Sequence, residues 1–396
     1  MSVPLRVLLI GPRGHGGEEV YVRTLTENPP AGVEYVSAGG FHQGAPGARC
    51  RVAEEVLLNR LIHPWLIPDI GFRALSLEER FDLVHVHAHP ARLAGLRDTP
   101  LVMSEGSSSA VYLRDYLNWD EAALTRGYSR ARRVYARLGI HDRLLNLRRV
   151  SRAYVFSRWA RDINVRWGAD PDKLDVVYPG FPTPPEMARE KKDEFVFLFV
   201  GTDFERKGGF EVLEAFADLA SRQPSARLIV VSSDPRIPNP DRAHHSWVSA
   251  RRRESALKAL EALEAKGLVQ RLPLVDRPRL FQSLYPRADA FVMPSHAEGF
   301  GFTNVEALSF GLPVISSRVG AIPEVVEDGV TGLLVPAGNV AALMAAMEAL
   351  VANAAAARTM GRAARAAFLQ RFTLERFRAG VARVYKEALA TRCAAS

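Results

Sequence analysis

The segment 294–307 of this 396-residue sequence carries its densest set of side chains capable of chemistry. Glu298 lies in a glycine-rich turn and Glu306 in the helical pattern that follows, with seven residues between them. The N–H groups of such a turn and the positive end of the helix can hold an anion, and the carboxylates can accept hydrogen bonds from sugar hydroxyls. The spacing therefore suits a sugar joined to phosphate. The alternative is a helix cap beside a surface glutamate.

Two adjacent cations follow an earlier apolar run. Arg206 and Lys207 come shortly after the run 194–201, on a loop that leads into a helical pattern. Arginine offers a planar fork of donors and lysine a compact point charge, and together they suit a diphosphate. The alternative is a pair of solvated surface charges.

A third candidate is the glycine loop 11–17, between the first predicted strand and the first predicted helix. Gly16 and Gly17 would let the backbone approach a phosphate closely at a helix N-terminus. The spacing differs from the dinucleotide-binding G-x-G-x-x-G pattern, and no acidic residue ends the next strand. A tight structural turn is therefore the alternative to a phosphate contact.

Three histidines, His85, His87 and His89, alternate along one predicted strand. The period of two places them on one face, where they could bind a metal, line an acceptor-binding surface or serve the structure. Asp82 is the nearest preceding carboxylate, and no carboxylate completes a ligand set close by in sequence. A metal site is therefore the least favoured of the three readings.

Short apolar runs alternate with helical patterns from one end of the chain to the other. This alternation predicts α/β units with parallel strands that are buried on both faces and joined by right-handed crossovers. The expected strands are 6–10, 35–37, 83–87, 101–104, 153–156, 175–178, 194–201, 227–232, 269–272, 290–293, 313–316 and 332–335.

A proline-rich stretch followed by a charged run, at 179–193, divides the chain. Such a composition is typical of a linker between domains. We expect a first doubly wound domain at 1–180, a linker at 181–193 and a second doubly wound domain at 194–373, with a central cleft between the domains. The last helical pattern, 374–391, is expected to pack back on the first domain.

These pieces, in this order, resemble the retaining glycosyltransferases of family 4, which have the GT-B fold of two Rossmann-like domains. The similarity covers essentially the whole chain and is densest from 195 to 336. The stretch 200–208 looks particularly like the bacterial lipopolysaccharide-core glucosyltransferases. The resemblance is carried by Gly16 and Gly17, by Arg206-Lys207-Gly208, by Glu298 and Glu306, and by the runs 311–315, 320–324 and 328–335.

The resemblance implies a role for each matching residue. Gly17 would contact the donor diphosphate through its backbone, Arg206 and Lys207 would clamp the diphosphate and stabilise the leaving group, and Glu298 would bind hydroxyls of the donor sugar. The resemblance implies no catalytic metal and no cofactor besides the nucleotide diphosphate-sugar. The other donor-binding residues that it implies are Gly16, Thr202, Leu274 at the base, Gly299, Phe300, Gly301, Phe302, Thr303 and, at the ribose, Glu306.

Two positions depart from the family pattern. Thr202 stands where members commonly have arginine, so Arg206 would supply the guanidinium. Glu105 stands where many members have histidine, in the loop after the strand 101–104. Its carboxylate could orient the acceptor or stabilise an oxocarbenium-like state, or it could mark altered activity. The candidate catalytic set is Glu105, Arg206, Lys207 and Glu298, and the candidate acceptor-side set is His87 and Glu105.

The formal net charge of +8 is concentrated in one segment, because residues 122–166 contain twelve arginines, no lysine and two aspartates. Basic amphipathic helices bind anionic membrane surfaces, so this segment could meet a membrane or a lipid-linked acceptor. A solvated helical face is the alternative, and no nucleic-acid-binding motif accompanies the charge. With two cysteines, no secretory leader and no long apolar run, we expect a cytoplasmic protein, with peripheral association at the inner face of the membrane as a further expectation.

Together these patterns predict a retaining, metal-independent glycosyltransferase. It would move a hexose from a nucleotide diphosphate-sugar, with a UDP-sugar favoured, to a hydroxyl of a glycan or lipid-linked acceptor of cell-envelope polysaccharide. One alternative is a nucleotide-sugar epimerase or phosphorylase on the same fold. Another, suggested by Glu105 and Thr202, is a catalytically impaired nucleotide-sugar-binding protein.

Overall fold

The computed structural model describes residues 3–11, 17–38, 47–48, 50–54, 73–88, 91–94, 98–107, 150–186, 193–237 and 246–393, together with short pieces between 111 and 141. The chain divides into two compact units. Unit 1 comprises Met1–Gly180 and Leu374–Ser396, and unit 2 comprises Phe181–Thr373. Gly16, His89 and most of the basic stretch 122–149 lie outside the described residues.

Unit 1 is built, in its described part, on a seven-stranded parallel sheet accompanied by a small four-stranded sheet. The order of the larger sheet is β11-β10-β8-β6-β1-β2-β3, and that of the smaller is β4-β5-β7-β9. The strands of this unit are β1 (Leu5–Ile10), β2 (Val33–Ala38), β3 (Gly47–Ala48), β4 (Cys50–Glu54), β5 (Arg73–Leu77), β6 (Leu83–His87), β7 (Ala91–Ala94), β8 (Leu101–Glu105), β9 (Ile140–His141), β10 (Arg152–Val155) and β11 (Leu174–Val176).

The six strands predicted for the first half are all present, each within two residues of its expected ends. The apolar runs of the inner strands, such as Val7 to Ile10, are buried, as expected for parallel strands covered on both faces. The strands β3, β4, β5, β7 and β9 were not predicted, because they are two to five residues long and none contains a continuous apolar run of the predicted kind. Glu105, expected on a loop, is instead the last residue of β8.

Unit 2 is built on a six-stranded parallel sheet, of order β14-β13-β12-β15-β16-β17 in its described residues. Its central strand is buried along its whole length, and all six predicted strands are present within one residue of their expected ends. They are β12 (Phe195–Gly201), β13 (Ala226–Ser232), β14 (Val269–Leu272), β15 (Ala290–Met293), β16 (Val314–Ser317) and β17 (Gly332–Val335).

Helices join the strands in both units. A π-helical turn, Leu280–Leu284, connects the fifth helix to the sixth. The helices are α1 (Gly17–Glu27), α2 (Arg158–Arg166), α3 (Gly209–Arg222), α4 (Ala250–Ala265), α5 (Arg277–Arg279), α6 (Tyr285–Arg287), α7 (Phe302–Ser309), α8 (Ile322–Val325), α9 (Val340–Ala352), α10 (Ala354–Arg371) and α11 (Leu374–Cys393).

Helix α11 belongs to unit 1, although it follows unit 2 in the chain. Two glycines allow its close approach. A Cβ atom on Gly180 would lie 2.5 Å from the Cβ of Phe377, and one on Gly380 would lie 2.8 Å from Val177 Cγ1. Phe377 and Tyr385 of α11 are consequently buried in unit 1, each about 1% exposed.

The segment predicted as a linker begins as an ordered part of unit 2. Phe181 is 2% exposed, its N–H donates to the carbonyl of Phe372 at 2.8 Å, and it forms a β-bridge with Thr373. The apolar side chain of Phe181 explains this packing, because removing apolar surface from water lowers the free energy of the folded chain. Residues 187–192 of the predicted linker lie outside the described residues.

Each parallel sheet has one point at which the order of its strands reverses. In unit 1 the chain runs from β1 to β2 on one side and returns to β6 on the other; in unit 2 it runs from β12 to β13 and returns to β15. In open α/β sheets, ligands bind outside the carboxyl ends of the strands at such a switch point. The topology therefore singles out the start of α1 and the end of β6 in unit 1, and the loops after β12 and β15 in unit 2.

Among the described helices, none is long and apolar enough to cross a membrane alone. One pair, α9 and α10, passes the test of length and composition when taken together, with a bend of 102° between the two helices. Within unit 2, α9 buries Leu343, Met347 and Leu350.

Candidate active site

The loop after β12 is held close to the loop after β15 by hydrogen bonds to backbone carbonyls. His296 N–H donates to the carbonyl of Arg206 at 2.8 Å, and Arg206 Nη1 donates to the carbonyl of Ala297 at 2.8 Å. Gly208 makes this approach feasible, because its φ of +77° favours glycine and a Cβ there would lie 2.3 Å from the carbonyl oxygen of Pro294. The switch point of unit 2 is therefore a compact, internally bonded pair of loops.

A three-residue charge cluster occupies this switch point. Lys207 Nζ donates to Glu298 Oε2, and Arg206 Nη1 lies 3.5 Å from the same oxygen. The three side chains are only 10–12% exposed. The structure thus brings together the two cations and the carboxylate that the sequence placed 91 and 92 residues apart.

Burial and charge shift the protonation of this cluster in definite directions. Burial lowers the pKa of the Lys207 ammonium below its ordinary value, against the opposing attraction of Glu298. Burial alone would raise the pKa of Glu298, but the charges of Lys207 and Arg206 outweigh it and lower the pKa of that carboxyl. The Glu298 carboxyl is therefore the ionised partner of the two cations, and the Asp203 carboxyl group, 3.7 Å from Arg206 Nε, also faces the cluster.

The glycine-rich turn after β15 leads into helix α7, whose N-cap is Gly301 at φ +85°, with no side-chain cap. A Cβ on Gly301 would lie 2.6 Å from Ile322 Cδ1. Gly320 packs still more tightly, because a Cβ there would lie 1.8 Å from the carbonyl oxygen of Glu298. Glycine is therefore needed at Gly301 within this turn and at Gly320, which packs against it after β16. An uncapped helix N-terminus is suited to an anion.

Glu306 is buried in α7 and bonded on both oxygens. Arg277 Nη2 donates to Oε1 at 2.7 Å, and Tyr285 O–H donates to Oε2 at 2.9 Å. Burial raises the pKa of Tyr285 well above its ordinary value, so that hydroxyl remains a donor. The π-helical turn that ends just before Tyr285 is a feature often found at functional sites.

Arg277 was not singled out by the sequence. Its guanidinium lies over the Phe281 ring, with 5.1 Å between Cζ and the ring centroid, while it bonds Glu306. The sequence contained a signal for Arg277. This residue follows the loop after β14, and Leu274 in that loop was already a candidate for binding the base. Leu274 itself is 50% exposed, an unusual exposure for leucine that leaves it accessible to a ligand.

The remaining donor-side candidates divide into exposed and buried groups. Thr202 is exposed at the start of the cation loop, and its carbonyl accepts a bond from Ser233 Oγ at 2.7 Å. Phe300 is 3% exposed and packs in the core. Thr303 donates to Met293 Sδ at 3.2 Å. Gly299 accepts at its carbonyl from Ala321 N–H, and Phe302 lies edge-on to Phe300.

The unit 1 candidates lie at the carboxyl ends of its central strands. Gly17 opens α1, while Gly16 lies outside the described residues. His87 is completely buried, and both of its ring nitrogens bond protein groups, Ser104 Oγ and Glu18 Oε2. Glu105 is 3% exposed at the end of β8. Within the described residues no group of three or more His, Cys, Asp or Glu side chains is placed to hold a metal ion.

Two protein-family models match this chain and together span most of it. The model described as a glycosyl transferase 4-like domain matches residues 7–180, and the model described as glycosyl transferases group 1 matches residues 184–367. The matches follow the two units of the structure. The motifs of unit 2 described above all lie within the second match.

Curated relatives include enzymes named D-inositol 3-phosphate glycosyltransferase. The one from Pseudarthrobacter chlorophenolicus is 27% identical over 92% of this chain and 84% of its own length. The one from Segniliparus rotundus is 32% identical, over 56% of this chain and only about half, 49%, of its own length.

Solved structures of similar fold match nearly the whole chain. Sucrose-phosphate synthase from Thermosynechococcus elongatus has a TM-score of 0.66 at 20% identity, covering 98% of this chain and 100% of that one. Anabaena HepE, solved with UDP and glucose, has a TM-score of 0.65 at 15% identity, covering 96% and 99%. The lipopolysaccharide outer core galactosyltransferase WaaB has a TM-score of 0.58 at 14% identity, covering 98% and 99%.

Proposed function

Because the chain belongs to the glycosyltransferases, with a 4-like domain followed by a group 1 domain on the GT-B fold, we propose that it transfers a hexose from a nucleotide diphosphate-sugar to an acceptor hydroxyl. The observation that carries this proposal is the cluster of Arg206, Lys207 and Glu298 at the switch point of unit 2. Two buried cations beside a carboxylate match the two parts of such a donor, the diphosphate and the sugar hydroxyls.

The donor would bind along the carboxyl edge of unit 2. Arg206, Lys207 and the N-terminus of α7 would hold the diphosphate, while Glu298 would accept hydrogen bonds from the sugar. Glu306 would accept from the ribose hydroxyls, with the base near Leu274. A UDP-sugar is our favoured donor, and the complex of the similar HepE structure with UDP and glucose supports that choice by analogy of fold.

We propose that transfer retains the configuration at the anomeric carbon. The bond from that carbon to the diphosphate oxygen would break as the bond to the acceptor oxygen forms on the same face, and the departing diphosphate oxygen would take the proton of the acceptor hydroxyl. Fixed cations act most strongly where charge develops in the transition state. Arg206 and Lys207 would therefore stabilise the leaving diphosphate, without a metal ion or a further cofactor being required.

The acceptor side belongs, in this proposal, to unit 1, with a glycan or lipid-linked hydroxyl as acceptor. The basic segment 122–166 supports an encounter with an anionic membrane surface. One arginine of this segment, Arg152, is paired with carboxylates elsewhere in unit 1. It bonds Asp175 at 2.5 Å and Glu387 at 2.8 Å. Peripheral membrane association is thus a proposal that rests on the charge of the sequence.

A panel of UDP-, GDP- and ADP-hexoses tests the proposed function. Thermal unfolding should shift upward with the nucleotide of the true donor, because ligand that binds the native state stabilises it. Incubation with radiolabelled donors should then give slow hydrolysis or transfer. Epimerised donor without transfer would identify an epimerase, and tight binding without any turnover would identify a binding protein; either result contradicts the proposal.

Glu306 allows a sharper test of how the nucleoside is held. Replacing it by glutamine should reduce the preference for UDP over 2′,3′-dideoxy-UDP by about tenfold, because a neutral acceptor bonds the ribose hydroxyls more weakly than a carboxylate. Calorimetry with both nucleotides measures the preference. The matched variant Arg277→Gln removes the charged partner of Glu306 but keeps the carboxylate, so it should retain the preference. An unchanged preference in Glu306→Gln would contradict the ribose assignment.

A further inference from the structure

A continuous chain of buried hydrogen bonds crosses unit 1 from helix α11 to the start of α1. Tyr35 O–H lies 2.9 Å from the hydroxyl of Tyr385, which lies 2.8 Å from His85 Nδ1. The chain continues from His85 Nε2 to Ser104 Oγ at 2.7 Å and from Ser104 Oγ to His87 Nδ1 at 2.7 Å. It ends with His87 Nε2, which lies 2.5 Å from Glu18 Oε2.

If His87 is neutral, the carboxylate at one end sets the direction of every bond in this chain. Glu18 can only accept, so His87 donates from Nε2, and a neutral His87 then accepts at Nδ1 from Ser104. The single proton of Ser104 is thereby used, so Ser104 accepts from His85 Nε2. His85 in turn accepts at Nδ1 from Tyr385, which accepts from Tyr35. All donors therefore point toward Glu18, and both histidines carry their proton on Nε2.

Burial keeps His85 and the tyrosines of this chain neutral. It lowers the pKa of His85 well below its ordinary value. Burial also raises the pKa of Tyr35 and Tyr385 well above the ordinary value. The other titratable groups that face Ser104 are Tyr21 of α1 and Tyr154 of β10, whose hydroxyls contact each other and whose pKa burial likewise raises.

Glu18 is the member of the chain that reaches solvent. Its side chain is 45% exposed, whereas that of His87 is completely buried. It lies in the first turn of α1 and meets the end of β6, at the switch point of the unit 1 sheet, where α/β folds bind ligands. Gly106, which follows Glu105, leaves room for it, because a Cβ there would lie 2.6 Å from Glu18 Oε1.

We propose that Glu18 is the acceptor-recognition carboxylate of unit 1, held in place from α11 through Tyr385, His85, Ser104 and His87. A fixed carboxylate accepts a hydrogen bond from a hydroxyl and repels an anion, so this position selects an uncharged sugar or polyol and rejects a phosphate ester. The relatives named D-inositol 3-phosphate glycosyltransferase carry a phosphorylated compound in their name. The uncharged acceptor that we propose for this chain differs from that compound. The inference rests on the proposed function, since it assigns the acceptor side of the same reaction.

Nitrogen-15 NMR of the histidine rings tests the chain without any substrate. The chain predicts that His85 and His87, assigned by His85→Gln and His87→Gln, both carry their proton on Nε2. Ser104→Ala removes the bridge between the rings and should leave His85 as a mixture of tautomers, because Tyr385 can donate or accept, while Glu18 still holds the proton of His87 on Nε2. Ser37→Ala is the matched control, because Ser37 is similarly buried in the same sheet and its Oγ has no hydrogen-bond partner among the residues that the structure describes. A proton on His87 Nδ1 in the native protein, or identical spectra for the two serine variants, would overturn the chain.

The same His87 resonances report on the ligand. Myo-inositol, glucose, galactose and N-acetylglucosamine should be compared with D-inositol 3-phosphate and glucose 6-phosphate. At least one neutral compound should shift the His87 ring resonances, and its phosphate ester should bind at least tenfold more weakly. Glu18→Gln should lower the affinity for the neutral ligand about tenfold. It should also reduce the difference in affinity between that ligand and its phosphate ester. Ser104→Ala should lower the affinity for the neutral ligand, whereas Ser37→Ala should not change it.

The proposal fails if no neutral compound shifts His87, if a phosphate ester binds as well as its parent, or if Glu18→Gln responds like the native protein. Nucleotide binding in unit 2 separates this failure from failure of the proposed function. Native UDP affinity in the double variant Arg206→Gln, Lys207→Gln would contradict the proposed function, and that result does not depend on Glu18.

Discussion

Replacing Arg206 and Lys207 together by glutamine is expected to weaken UDP binding by roughly 10²- to 10⁴-fold. Each cation would contribute a charge-assisted hydrogen bond to the diphosphate, worth about 1.5–3 kcal/mol, and each 1.4 kcal/mol is about a factor of ten. Both side chains are only 11–12% exposed, so water competes little with the ligand. Glutamine is chosen because its amide can still donate to Glu298 and so preserves the local fold.

Calorimetry with UDP measures this loss, and thermal unfolding of the ligand-free variant checks that unit 2 remains folded. Lys258→Gln is the control, because it removes a positive charge from an exposed position of α4, where the side chain is 72% accessible. We expect native affinity in that control. Binding by the double variant within threefold of the native protein would remove the diphosphate clamp from the mechanism.

The pH dependence of UDP binding examines the same site in the native protein. Because burial lowers the pKa of Lys207, its positive charge is lost at a lower pH than that of an ordinary lysine. UDP affinity should therefore begin to fall earlier on the alkaline side. In Lys207→Arg the guanidinium stays protonated throughout the accessible range, so this early fall should disappear while affinity at neutral pH is largely kept.

Glu298→Gln is expected to separate binding from transfer. The transfer rate should fall by roughly 10- to 150-fold, because a hydrogen bond from the donor sugar to a carboxylate is worth about 1.5–3 kcal/mol and its neutral replacement less. UDP should bind at least as tightly as to the native protein. The reason is that Lys207 and Arg206, which now share the Glu298 carboxylate, become fully available to the diphosphate.

Initial rates with the donor identified from the panel, together with UDP calorimetry, measure the two quantities on one protein. Glu254→Gln serves as control, since Glu254 pairs with Lys258 on the exposed face of α4 and is 68% accessible. A native rate in Glu298→Gln would exclude Glu298 from sugar recognition. Parallel loss of UDP affinity and transfer would instead show that its role is to hold the cations in place.

The strands of both units could be predicted from the sequence alone. Their apolar runs must be buried on both faces, and this local demand is visible without any tertiary contact. The loops that follow β12 and β15 were found for the same reason, since chemistry-bearing residues such as Arg206 and Glu298 directly follow an apolar run. The short strands β3 and β9, of two residues each, lack such a run and exist only because neighbouring strands offer partners.

The period of two along β6 was enough to place His85 and His87 on one face, but it left three interpretations open. Only the tertiary structure shows what the two rings bond. Ser104 and Glu18 bond His87 from 17 and 69 residues away in sequence, and Tyr385 bonds His85 from 300 residues away. Arg277 is a similar case, since its bond to Glu306 spans 29 residues and a π-helical turn.

The sequence by itself thus determined the strand framework and the loops able to carry chemistry, because hydrophobic burial acts along contiguous residues. The tertiary structure alone decided which groups bond one another at the two switch points. Hydrogen bonds require atoms within about 3 Å and in a set orientation, and only the folded chain fixes such distances between residues that are far apart in sequence.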